Sequence, residues 1–225
     1  MKYSEFIDQL KSYAEESYAA FHRSLTPTKY TILGVRVPIM RKIAKGFSSQ
    51  PQIYELLSYP NEYYEVVFIK LAAVSALPYE EFIKYVNDCV ELMDNWAHCD
   101  SFKANCIEKN RDNFLPYLEN IFQQGSEFHQ RYALVTLLYY YINQAYYPLL
   151  VECIQKSNMQ LYYVHMAVAW LMAEILVKDY EYGVTLLNQG ILPPKTHNKC
   201  IQKAIESYRL SEKQKEQLRS LKIKL

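Results

Sequence analysis

Trp96, Asp100, Arg131 and Trp170 are the side chains from which a reactive site can be assembled in this sequence. The first two lie in Asp94-Asn95-Trp96-Ala97-His98-Cys99-Asp100-Ser101. On a helix, residues four apart share one face. Taken alone, Trp96 also reads as a core aromatic and Asp100 as a capping acid for a helix starting at Ser101 to Lys103. Arg131 interrupts the apolar stretch Phe128-His129-Gln130-Arg131-Tyr132-Ala133-Leu134-Val135. Such an arginine usually sits at the boundary with water, stem buried and head exposed. Trp170, in Ala167-Val168-Ala169-Trp170-Leu171-Met172, reads alone as core. The spacing adds to these readings, because Arg131 follows Trp96 by 35 residues and Trp170 follows Arg131 by 39. In a helical array of that period, equivalent positions stack along one face. An arginine binds phosphate bidentately, and aromatic faces attract a cationic, electron-poor ring. A partly desolvated carboxylate stabilises positive charge on a sugar or activates water. Together these groups suit cleavage of an N-glycosidic bond in a nucleotide whose base is already cationic.

The elements that must position them read as helices almost throughout, since apolar residues recur at helical spacing. Residues 4–23 form an amphipathic pattern through Phe6, Leu10, Tyr13, Tyr18 and Phe21, and 24–34 is irregular around Pro27 and Gly34. Pro38 suits the first turn of a helix to about Lys45, closed by Gly46. Further helices are expected over 51–58, 61–76, 79–93, 100–109, 112–124, 127–143, 146–156, 159–177, 179–188, 195–208 and 211–222. Ser211 with Gln214 is a capping-box signal for the last. No segment combines the length, alternation and turn residues of a strand. Short connections imply antiparallel neighbours, and the longer helices begin near 61, 127, 159 and 195, a period expected of two-helix repeats. The expected fold is therefore all-α, an α-α superhelix (solenoid) over a single domain, 1–225, with a compact bundle as the competing reading.

Composition narrows the function classes. Half of the 225 residues are hydrophobic and 22% are charged, which excludes a disordered chain. Only 5 residues are Gly, too few for a turn-rich all-β fold. No apolar run approaches a membrane span, and the N-terminus has no apolar core of a signal peptide. The five cysteines, Cys89, Cys99, Cys106, Cys153 and Cys200, form no CxxC pair and no zinc spacing, so reduced thiols in the cytoplasm are expected. The net charge of +1 is unevenly placed. Residues 17–54 hold six bases and no acid, and residues 195–225 hold nine bases and three acids. Two basic ends around an acidic middle suit a polyanion, or are solvated helix faces.

The chain resembles the AlkD-like DNA alkylation repair proteins, all-helical DNA glycosylases built from HEAT-like two-helix repeats, over nearly its whole length. The resemblance rests on Ile32-Leu33-Gly34-Val35-Arg36-Val37-Pro38 with Arg41-Lys42-Ile43-Ala44-Lys45, on Asp94-Asn95-Trp96 with Asp100, on Arg131-Tyr132-Ala133, on Ala169-Trp170 and on Ile201-Gln202-Lys203-Ala204-Ile205. It implies excision of N3- and N7-alkylated purines from double-stranded DNA by a monofunctional hydrolase of N-glycosyl bonds, working as a cytoplasmic monomer without metal or organic cofactor. The active-site carboxylate would be Asp100, the aromatic walls Trp96 and Trp170, and the phosphate-contacting arginine Arg131. Arg36, Arg41, Lys42, Lys45, Lys103, Lys199 and Lys203 would form the positive DNA-binding surface. The chain departs from the family in its near-neutral charge and in Glu174, where a base facing DNA is expected one turn after Trp170. Phe21 is the candidate for the family's N-terminal aromatic; His98 and His165 receive no role. The alternatives are a non-catalytic DNA-binding scaffold of the same fold, for bent or branched DNA, and a helical-repeat protein-interaction module.

Overall fold

A computed structural model describes residues 1–49 and 51–224. Among the described residues there are fourteen α-helices and two short 3-10 turns, and the one β-contact is an isolated bridge between Thr31 and Tyr63. The chain is all-α, of the helical-repeat class the periodicity predicts. No described helix is long and apolar enough to cross a membrane. No described group of three or more His, Cys, Asp or Glu residues could hold a metal ion. Among the described residues no disulfide joins the five cysteines. The chain divides into two compact units, Met1–Tyr117 and Leu118–Leu225.

The first unit holds α1 (Tyr3–Ser12), α2 (Glu16–Leu25), α3 (Val37–Lys45), α4 (Gln52–Ser58), α5 (Tyr64–Ser75), α6 (Tyr79–Glu91) and α7 (Trp96–Ser101), then a 3-10 turn over Asn105–Lys109. The start of α8 (Arg111–Gln123) completes it. Helix α5 is apolar nearly all round and packs against α3, α4, α6 and α7, so it is the buried axis of this unit. Its two charges are both buried and both answered by polar groups. Lys70 donates to the Leu57 and Tyr59 carbonyls and to Asn61 Oδ1 at 3.0, 2.5 and 2.7 Å, which closes the end of α4. The Glu65 carboxylate accepts the backbone N–H groups of Leu33, Gly34 and Val35 at 2.8–3.2 Å. That nest fixes the loop that feeds Pro38 into α3. Gly34 is required there: its φ is +98°, and a Cβ would lie 2.4 Å from the Glu15 carbonyl.

Two expectations change in this unit. Residues 4–23 are not one helix: the chain breaks after Ser12 and restarts at Glu16. The Glu15 N–H bonds to the Gly34 carbonyl at 3.1 Å, and its carboxylate grips Arg36, so tertiary partners replace the intrahelical bond there. The helix expected over 100–109 begins instead at Trp96 and ends at Ser101.

The second unit holds the rest of α8, then α9 (Glu127–Tyr140), α10 (Tyr147–Lys156), α11 (Tyr162–Lys178), α12 (Tyr180–Asn188), α13 (Pro194–Ile205) and α14 (Glu212–Ser220). Helix α11 packs between α9 and α13, with α12 laid against it. Helices α9 and α11 are therefore buried on most sides, and their sequences are apolar nearly all round. The last helix starts as expected, with Ser211 Oγ accepting the Gln214 N–H and Gln214 Oε1 accepting the Ser211 N–H.

Candidate active site and nucleic-acid interface

Each residue of the Asp94-Asn95-Trp96 string has a separate structural task. Asp94 Oδ2 accepts from Thr28 Oγ1 at 2.7 Å and from the Lys29 N–H at 2.6 Å, which ties the loop after α2 to the start of α7. Burial opposes ionisation of Asp94, but hydrogen bonds from His98, Thr28, Lys29 and Asn95 outweigh it and hold the carboxyl below its ordinary range. Asn95 is the N-cap of α7, its Oδ1 accepting the His98 N–H at 3.0 Å. The Trp96 indole N–H donates to the Leu25 carbonyl at 3.1 Å and so holds the end of α2. Asp100 follows one turn later, in the last turn of α7. It is not a capping acid, because it lies inside α7, whose N-cap is Asn95, and the next turn is capped at Ala104.

The consequence is a pocket of about 340 Å³ that Trp96 and Asp100 line together. That volume falls at the small end of ligand sites. Tyr18, Phe21, His22 and Leu25 of α2 form another wall, Arg41 of α3 stands at its side, and Tyr64 and Phe68 of α5 also line it. The α2 residues follow an i, i+3, i+4, i+7 pattern, so one helix face supplies the wall. Phe21 is 58% exposed at the edge of this pocket. Behind the wall, His98 stacks on Tyr64 at 4.6 Å between ring centroids, and His22 meets Tyr64 edge-on at 4.4 Å. Burial lowers the pKa of both imidazoles, so neutral rings line this stack.

The expected basic residues of this unit are exposed: Arg36, Arg41, Lys42, Lys45 and Lys103. Arg41 is the one that reaches the pocket. Arg36 is engaged bidentately by Glu15, with both N···O distances 2.7 Å, and its guanidinium lies 5.0 Å from the Tyr18 ring centroid.

In the second unit, Arg131 departs from its expected place at the water boundary. It is 6% exposed, its Nη1 donates to the Tyr163 carbonyl at 3.0 Å, and its guanidinium lies 5.8 Å from the Tyr163 ring. Glu127, one turn earlier on α9, accepts the Tyr163 N–H at 2.6 Å. Two charges of α9 thus clasp both sides of one residue at the start of α11. Trp170 is not wholly core: it meets Tyr139 edge-on and lines a pocket of about 250 Å³ with Glu174, Lys203 and Arg209. Glu174 pairs with Arg209 at 2.6 Å, so the acid in the position where a base was expected carries a cation with it. Lys199 lines a further pocket between α11 and α13, with His165. His165 Nδ1 lies 2.8 Å from Thr196 Oγ1.

Of the four sequence-selected residues, Trp96 and Asp100 converge within the first unit, whereas Arg131 and Trp170 belong to the second. The sequence reading missed Tyr18, His22 and Tyr64 as pocket walls and Arg209 as the partner of Glu174. The spacing of Tyr18, Phe21, His22 and Leu25 carries the signal for the first two. Tyr64 and Arg209 depend on tertiary packing.

A family model described as DNA alkylation repair enzyme matches residues 6–182. No curated protein and no solved structure matches the chain.

Proposed function

The chain belongs to the DNA alkylation repair enzyme family, and from that premise we propose that it is a DNA glycosylase. It removes N3- and N7-alkylated purines from duplex DNA by hydrolysing the N-glycosidic bond. The observation that carries this reading is the placement of the Asp100 carboxylate and the Trp96 ring, one helical turn apart, in a single aromatic-walled pocket beside Arg41.

The chemistry follows from the substrate. Alkylation at N3 or N7 puts a positive charge on the purine, so breaking the bond to C1′ returns the electron pair to the base and it leaves neutral. The sugar is left oxocarbenium-like. A carboxylate aimed at developing positive charge stabilises that state, and it takes the proton of the water that captures the sugar. Aromatic faces attract the cationic base before cleavage and lose that attraction after it, which favours release of the neutral product. Arg36, Arg41, Lys42, Lys45, Lys103, Lys199 and Lys203 are assigned to the DNA backbone, and Trp170 to the DNA-facing side of the second unit. Arg131 is assigned as a phosphate contact, although its Nη1 donates to the Tyr163 carbonyl.

Release of 7-methylguanine and 3-methyladenine from methylated duplex DNA, wild type beside Asp100→Asn, tests the proposal. Release by wild type and its loss in the variant support it; equal release by both removes Asp100 from the mechanism. A second reading, a non-catalytic DNA-binding scaffold, is favoured by the near-neutral net charge and by Glu174 beside Trp170. It predicts salt-dependent duplex binding with no base release from either protein.

A further inference from the structure

We propose that His98 is a positioning residue for base release: its imidazole anchors the rear face of α7 and so fixes where Trp96 and Asp100, on the front face, are held. The effect on release rests on the glycosylase reading; the anchoring of the helix does not.

Helix geometry is the first argument. Successive residues turn by about 100° around a helix axis, so Trp96 and Asp100 share a face, and His98, two positions from each, lies on the opposite one. A helix of 6 residues has too few internal bonds to hold itself in place. Its position comes from side chains. Asp94 ties to Thr28 and Lys29, and Trp96 to the Leu25 carbonyl, all at the end of α2 or in the loop after it. His98 makes the tie to α5, the buried axis of this unit. It is wholly buried and stacks on Tyr64 at 4.6 Å, with 14° between the ring planes. Tyr30 lies 5.9 Å away, its hydroxyl donating to the Leu92 carbonyl at 2.7 Å. Tyr64 itself lines the pocket, so one ring supports both the carboxylate helix and the wall across from it.

Polar accounting is the second argument. Asn95 Oδ1 accepts the His98 N–H, so Asn95 Nδ2 is the atom turned to the imidazole, 2.9 Å from Nδ1 and 2.7 Å from Asp94 Oδ1. An amide nitrogen only donates, so Nδ1 must accept, and the ring proton sits on Nε2. Nε2 is buried and has no hydrogen-bond partner among the described residues. A buried donor without an acceptor destabilises a fold. A phenylalanine would keep the stack on Tyr64 without that cost. Local rules of stability are broken where function sets the residue type, and this break lies directly behind Trp96 and Asp100. Histidine supplies what phenylalanine lacks, an acceptor that closes the Asp94-Asn95-His98 triangle and locks the cap of α7 to the ring. Burial holds the ring uncharged against the pull of Asp94, and Lys29 adds to that effect, so the acceptor is retained near neutral pH. Misplacing a reacting group by about 1 Å costs on the order of 100-fold in rate, which is why the anchoring matters.

The test sets His98→Phe, which keeps the stack and removes the acceptor, against His98→Asn, which keeps an acceptor near the place of Nδ1 and removes the ring. Four quantities are read: single-turnover base release at saturating protein, duplex affinity, the urea midpoint, and the fluorine NMR spectrum of protein labelled with fluorotryptophan. His98→Phe is expected to unfold at a urea midpoint equal to or above that of wild type. It should release base about tenfold more slowly, bind duplex within about twofold of wild type, and shift the Trp96 resonance but not that of Trp170. His98→Asn is expected to be less stable than wild type yet to release base within about threefold of it. Stability and rate then run in opposite orders, which a merely structural histidine does not produce. Rates that follow stability, or wild-type release by His98→Phe, overturn the proposal. If wild type releases no base, the glycosylase reading falls and the Trp96 resonance decides: a shift in His98→Phe sustains the anchoring, and an unmoved line overturns it.

Discussion

The Asp100 pocket and the α11/α13 face differ in what they have discarded. The first is walled by Trp96, Tyr18, Phe21 and Tyr64, with a carboxylate and an arginine at its edge. The second is lined by ammonium groups at one end and by the Glu174–Arg209 pair at the other, with Trp170 as its only tryptophan. An aromatic-walled carboxylate suits a flat cationic base and a developing sugar cation; an unneutralised lysine cluster suits a phosphate. The difference teaches that bond cleavage and backbone grip need opposite electrostatics. The first pocket sets a carboxylate beside an arginine, whereas the pocket between α11 and α13 holds lysines and no carboxylate.

Substitutions that separate the two observables test this division most directly. Asp100→Asn should lower base release about 100-fold or more while leaving duplex affinity within about threefold, the scale of removing one group that stabilises transition-state charge. Single-turnover release and anisotropy on the same preparation measure both. A parallel loss of affinity would mean that the first unit is also the principal grip.

The support of the pocket should come next in size. Glu65→Ala leaves the buried N–H groups of Leu33, Gly34 and Val35 without their acceptor, and about 3 kcal/mol of stability should be lost in urea unfolding. Hydrogen exchange should show the loss in α2, α3 and α5, with α9, α11 and α13 protected as before. Loss spread evenly through both units would contradict a local role for the Glu65 carboxylate.

The two tryptophans offer a symmetrical comparison. Trp96→Ala should lower base release about tenfold, since it removes a pocket wall and the bond to the Leu25 carbonyl. Trp170→Ala should instead weaken duplex binding a few-fold, about 1 kcal/mol, with single-turnover release at saturating protein unchanged. Exchange of these two phenotypes would reverse the assignment of roles.

The smallest effect expected is with pH. His22 and His98 titrate below the ordinary histidine value in the fold because burial disfavours their charged forms. Between the lowered folded value and the unfolded value near 6.5, the unfolded chain binds more protons. Stability should therefore fall as pH drops below about 6.5, with both imidazoles contributing through the Tyr64 stack. Melting followed from pH 7.5 to pH 5 should show this decline, and His98→Gln should flatten it.

The motif strings were legible before the fold because each does a local job. Pro38 at the start of α3, Ser211 with Gln214 and the i, i+4 pair Trp96 and Asp100 all act within a few residues, whereas the cap of α7 is Asn95 and not the expected Asp100. The all-α class was legible for the same reason, since helical periodicity is written in nearest-neighbour spacing. The break at residues 13–15 was not, because it depends on Gly34 and Arg36 more than eighteen positions away.

Arg131 and Glu174 show the other limit. By type and spacing, one read as an exposed phosphate ligand and the other as a misplaced acid. The packing of α9 on α11 buries Arg131 against Tyr163, and the loop after α13 brings Arg209 to Glu174. Sequence by itself determined the all-α class, the cap at Ser211 and the residue types available for chemistry, because those follow from local spacing and propensity. Tertiary structure alone decided which charges are neutralised and which aromatics wall a pocket. Burial and Coulomb energy depend on distance in space, and distance along the chain does not fix it.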